Sequence, residues 1–127
     1  MKLPPEQSDE ASLLRLGEEA VSLLEKRDFQ SLAERVDYAL KFGRSPVVAI
    51  EGDFQACLSE FHSLPEQPPT VLPSVRVNWF KPNSSNLVAA VECVFTTAEG
   101  CPILVELIVT SSGKEKHITL EDLSLAV

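Results

Sequence analysis

Leu87-Val-Ala-Ala-Val-Glu-Cys-Val-Phe-Thr-Thr97 and Cys101-Pro-Ile-Leu-Val-Glu-Leu-Ile-Val-Thr110, joined by Ala98-Glu99-Gly100, decide the fold. Both runs are rich in β-branched and apolar residues and are bounded by turn formers, the signature of paired strands. A three-residue hairpin loop needs a left-handed residue at its end, and Gly100 adopts that conformation without a Cβ clash. The loop length sets the register: Thr97 faces Cys101, Phe95 faces Ile103, Cys93 faces Val105 and Val91 faces Leu107. Side chains alternate along a strand, so one face of this hairpin is wholly apolar. The other face carries Val88, Ala90, Glu92 and Val94 against Leu104, Glu106, Ile108 and Thr110. Glu92 then lies opposite Glu106, and like charges facing across a ladder repel.

Downstream, Ser111-Ser-Gly-Lys114 is a turn, and His117 to Val127 is a last strand that keeps its apolar end in the sheet. Ile118 and Leu120 share one phase while Leu123 and Leu125 share the other. The phase change predicts a β-bulge at Glu121-Asp122.

Upstream, residues 1–7 read as a frayed lead-in. Ser8 or Asp9 caps a helix that carries Leu13, Leu16, Gly17, Ala20 and Leu24 on one stripe and runs to about Lys26. Asp28 caps a second helix with Phe29, Leu32, Ala33, Val36 and Leu40 on its stripe, stopped near Phe42-Gly43. Ser45-Pro46 reads as cap and first position of a third helix from Pro46 to about His62. Gly52 weakens that helix, and Val47–Ile50 is readable as a short strand instead. Residues 63–73 form a proline-rich connector, and Ser74-Val-Arg-Val-Asn-Trp-Phe-Lys81 is the first strand of the sheet.

The expected organisation is one domain over 1–127, with a helical part (8–62), the connector and an antiparallel sheet (74–127). The fold class is α+β: three N-terminal helices on the apolar face of a curved, cone-like, four-stranded antiparallel sheet. The helix pair with Lys26-Arg-Asp-Phe-Gln-Ser-Leu32 at its junction, followed by a third helix and such a sheet, resembles the nuclear transport factor 2 and ketosteroid isomerase superfamily. Thr97-Ala-Glu-Gly-Cys-Pro-Ile-Leu-Val-Glu-Leu107 together with Leu120-Glu-Asp-Leu123 resembles a small bacterial family of unknown function. The first resemblance implies a pocket between helices and sheet. The second supports the fold and implies no activity.

The net charge of −8 disfavours nucleic acid, whose phosphates need Lys and Arg, and disfavours an anionic membrane surface. It suits a basic protein partner. No apolar stretch is long enough to span a bilayer or to serve as a signal peptide, so a cytoplasmic setting is expected. Cys57, Cys93 and Cys101 lack CxxC spacing and read as buried thiols. His62 and His117 lack a metal-binding spacing, and no glycine-rich phosphate loop is present. Neither a metal nor a cofactor is expected, and no catalytic residue is assigned.

The candidate acid pair is Glu92 and Glu106. Buried together, one would hold a proton near neutrality; the plainer reading is a solvated face with Arg76 or Lys81 as counter-charge. Tyr38, His62 and Trp79 are the candidate pocket rim. An isomerase-like site needs a carboxylate base beside Tyr38, and none is evident in the sheet. Arg76, Phe80, Val94, Leu104 and Ile108 are candidate contacts of an association surface, because the mixed face keeps many apolar groups outside the helix-covered core. The leading expectation is a non-enzymatic interaction module, as a homodimer through that face or as an acidic, immunity-like partner-binding protein. The alternative is a small-molecule or isomerase-like pocket protein.

Overall fold

The computed structural model describes residues 1–126. Its elements are β1 (Lys2–Leu3), α1 (Glu10–Glu25), α2 (Phe29–Arg35), β2 (Asp37–Tyr38), α3 (Pro46–Ser63), β3 (Ser74–Trp79), β4 (Leu87–Thr96), β5 (Pro102–Ser112) and β6 (Glu115–Leu125). The class is α+β, with three helices against a sheet that curls into a half-barrel.

The sheet has six strands rather than four, in the order β1-β6-β5-β4-β3, with β2 also on β6. The two additional strands are two residues each. The lead-in is therefore not frayed: Lys2 and Leu3 pair with His117 and Lys116, and Ile118 N–H donates to the Met1 carbonyl at 2.8 Å. Likewise the second helix does not reach Phe42. It ends at Arg35, Val36 is extended, and Asp37–Tyr38 run parallel to Thr119–Leu120. Leaving the helix here pairs the backbone with β6 and carries Tyr38 into the core, where it is 1% exposed.

The central hairpin has the expected register. Phe95 pairs with Ile103, Cys93 with Val105, Val91 with Leu107 and Glu92 with Glu106. Thr97 N–H donates to the Cys101 carbonyl at 2.9 Å, and Gly100 closes the loop at φ +89°. The bulge near Glu121 is present: Glu106 pairs with Asp122 but Leu107 with Leu120, which leaves Glu121 unpaired. One detail differs. Leu87 pairs with Thr110 and Ala89 with Val109, so Val88 is a second bulge residue, half-buried against the core.

The helices take the expected apolar face. Val91, Cys93, Phe95, Ile103, Val105, Leu107, Ile118 and Leu120 are all nearly inaccessible. Gly17 sits so close to the sheet that a Cβ there would meet Val75 Cγ1 at 2.6 Å, with Cys93 Sγ and Val91 Cγ1 at 3.0 Å. Only glycine permits this approach of α1 to β3 and β4. Helix α1 ends in a Schellman turn: Asp28 N–H bonds the Leu23 carbonyl, Arg27 N–H bonds that of Leu24, and Arg27 is left-handed at φ +58°. The cost of a non-glycine residue there is offset by Arg27's contacts, an ion pair with Glu99 and its guanidinium over the Phe54 ring, 5.1 Å from the centroid. Helix α3 is helical from Pro46 onward, with Ser45 Oγ accepting from Val48 N–H, so Val47–Ile50 is not a strand.

Candidate functional site

The face of the sheet away from the helices carries a charged row that the register assembles. Arg76 on β3 pairs with Glu92 on β4, Glu92 with Glu106 on β5, and Glu106 with Asp122 on β6. Four adjacent strands thus place one cation and three carboxylates side by side. Arg76 Nη2 donates to Glu92 Oε2 at 2.9 Å from a side chain that is 72% exposed. Ser124 Oγ donates to Asp122 Oδ2 at 2.9 Å. Glu106 lies between two acids. Its carboxyl sits above the ordinary glutamate range, first because of partial burial and then because of Glu92, Asp122 and Glu121. A proton or a cation is what this position attracts.

Mixed rows of polar and aliphatic side chains flank the acids, with Val94, Leu104 and Ile108 half-buried. On one side, Ser74, Val94, Leu104 and Ser124 are neighbours; on the other, Asn78, Ala90, Ile108 and Thr119. Phe80, 41% exposed, extends the second side beyond the end of β3. The candidate contacts Arg76, Phe80, Val94, Leu104 and Ile108 thus share one face with the acid pair. Among the described residues, no three acidic, histidine or cysteine side chains are arranged to hold a metal ion.

The candidate rim residues are not together. Trp79, 49% exposed, lines a groove with Phe80, Pro82 and Asn86. His62 is exposed on the last turn of α3, beside the Phe61 ring. Tyr38 lies in the core rather than at a rim. Its hydroxyl donates to Asp53 Oδ2, a residue that the sequence reading missed. Arg44 Nη1 donates to Asp53 Oδ1 at 3.1 Å, and Arg44 also donates to the carbonyls of Leu40 and Lys41. Burial alone would push the Asp53 carboxyl up, but the bonds from Arg44 and Tyr38 and the Arg44 charge bring it below the usual range. Burial, with Asp53 next to it, pushes the Tyr38 phenol up. The one sequence clue was position: Asp53 lies three residues after buried Ile50 and beside buried Phe54, so its side chain leaves α3 near the core.

A cleft of about 380 Å³ passes this cluster, lined by Leu40, Phe42, Arg44, Asp53, Cys57 and Leu123. Arg44 and Asp53 in its wall are already bonded to each other, and Glu60 stands at its edge with the apolar groups. The cysteines are buried and free. Burial pushes Cys57 and Cys93 up to about 12 and Cys101 up to about 11. Such thiols stay protonated and are poor nucleophiles.

Comparison of the chain with models of protein families, with curated proteins and with solved structures returns no match. No helix among the described residues is long and apolar enough to cross a membrane.

Proposed function

We propose that this chain is a non-catalytic binding module whose open sheet face seats a cationic surface of a partner protein. The observation that carries the reading is the row Arg76–Glu92–Glu106–Asp122. A cationic side chain placed over Glu106 would relieve the repulsion among the three carboxylates, a gain available only in a complex. Val94, Leu104 and Ile108 would supply the apolar contact around it, and Arg76 and Phe80 its border. The net charge of −8 would speed encounter with a basic partner and would oppose pairing of two like copies.

The isomerase-like alternative has less support. The carboxylate beside Tyr38 is ionised and shared between Tyr38 and Arg44, so neither Tyr38 nor Asp53 is left free to serve as donor or base.

Amide chemical shifts during titration with a folded cationic probe protein, of pI above about 9, test the proposal. Shifts centred on Glu92, Leu104, Glu106 and Ile108, abolished in Glu106→Lys, are expected. Shifts scattered over the helices would overturn it. So would a doubling of the mass in solution that Leu104→Asp removes, because the face would then be occupied by a second copy.

A further inference from the structure

Strand β3 is an end strand of the sheet, and its inner edge pairs with β4. Hydrogen-bonded and non-bonded pairs alternate along an antiparallel ladder. Phe80 N–H donates to the Val88 carbonyl on β4, so the even-numbered residues of β3 bond inward. The hairpin agrees: Thr97 bonds Cys101, which assigns the odd-numbered residues of β4 to β5 and the even-numbered ones to β3. The N–H and C=O groups of Val75, Val77 and Trp79 therefore point to the open edge.

Natural sheets blunt such edges with proline, bulges, covering elements or charge. Here Pro73 and Lys81-Pro82 stand just outside the two ends. Between them are no proline and no register shift, and the one charged side chain, Arg76, is paired with Glu92 on the open face. The edge is kept short, but it is left able to pair.

Helix α1 supplies the second half of the site. Its buried residues are Leu13, Gly17, Ala20, Val21 and Leu24, and Gly17 touches β3 and β4. The adjoining stripe Leu14, Glu18, Val21 and Glu25, spaced i, i+4, i+7 and i+11, lies along one side of the helix. With Pro73 and Val75 it lines a groove of about 440 Å³ at the start of β3. Along that stripe, aliphatic and acidic side chains alternate.

We propose that the β3 edge and this groove receive an extended segment of a partner protein, added to the sheet as a further strand, with aliphatic and lysine or arginine side chains alternating on its helix-facing side. Main-chain bonds to Val75, Val77 and Trp79 would hold the segment. Half-buried Leu14, with Pro73 and Val75 over a nearly buried Val21, would take its aliphatic groups, and exposed Glu18 and Glu25 its cations. The site meets the open sheet face at Ser74 and Val94 but uses none of its acids, so it stands or falls without the acid row.

The probe is a capped peptide, Val-Thr-Lys-Thr-Val-Thr-Lys, which presents Val, Lys, Val and Lys on one side; the control carries Glu for Lys. Trp79, the single tryptophan, reports binding by its emission. The expected result is saturable binding of the lysine peptide, slowed amide exchange at Val75, Val77 and Trp79, and no binding of the control. Val77→Pro removes an outward N–H and no ladder bond, so the fold is retained and the affinity falls by about tenfold or more. Glu18→Lys with Glu25→Lys, both at exposed positions, weakens the lysine peptide and admits the glutamate one. Binding that survives Val77→Pro, slowed exchange at none of these amides, or shifts confined to Leu104 and Ile108 would overturn the proposal. A rise in mass that Val77→Pro abolishes would overturn it too, since the edge would then pair with itself.

Discussion

The sheet separates two carboxylates that the molecule treats in opposite ways. On the helix side, Asp53 of α3 meets a tyrosine hydroxyl and a guanidinium, and its carboxyl proton leaves more readily than usual. On the open side, Glu106 meets two further acids, while the nearest cation is bound to Glu92. The first acid is satisfied inside the molecule and acts as structure. The second is satisfied only by something brought to it.

The largest expected effect tests the satisfied side. Asp53→Ala strips the acceptor from a Tyr38 hydroxyl in the core and the partner from Arg44, and should cost about 2–3 kcal/mol of stability. Urea unfolding at neutral pH measures it, and a loss under half of that would mean that Asp53 is not the anchor. The folded-state value of Asp53 is depressed, so its contribution is present above the unfolded value near about 3.9. It is lost as the pH falls through the folded value.

Next comes the closeness of the covered face. Gly17→Ala would set a Cβ 2.6 Å from Val75 Cγ1. Overpacking costs about 1–3 kcal/mol and helix propensity recovers about 1 kcal/mol, so a net loss of about 1 kcal/mol is expected in a thermal melt. Gly52→Ala is the matching control. Its Cβ would meet only Arg44 Nη1, at 3.6 Å, and a gain of about 0.5–1 kcal/mol should follow. If both substitutions stabilise, α1 does not rest on the sheet as closely as described.

The smallest effect concerns the open side. The folded-state value of Glu106 is raised, so its favourable contribution is present below the unfolded value near about 4.3. That contribution disappears as the pH rises through the folded value, leaving a penalty at neutrality. Glu106→Gln should therefore stabilise the fold by about 0.5 kcal/mol at pH 7, with the gain fading toward pH 4. Destabilisation at pH 7 would contradict the register.

The hairpin register, the bulge at Glu121 and the Ser45 cap were legible because each rests on local pattern: a period of two, a phase change, a cap-and-proline pair. Lys2–Leu3 and Asp37–Tyr38 were not, because two residues carry no period. Nor could the end of the second helix be read. Val36 and Leu40 continue its stripe, and only the pull of β6 on the backbone of 37–38 breaks it. Of the candidate site, the facing of Glu92 and Glu106 was visible from loop length. The third acid was hidden by the bulge, which had to be counted through before Asp122 could be set beside Glu106.

By itself, the sequence determined where the helices begin, where the long strands lie, which face of the sheet is apolar, and which two glutamates oppose each other, because neighbours along the chain govern those choices. Tertiary structure alone decided that β6 recruits two short strands, that Tyr38 finds Asp53, and that the α1 stripe Leu14–Glu25 comes to lie along β3. Those pairings join residues far apart in the chain. They form only once the sheet exists to offer its edges and faces.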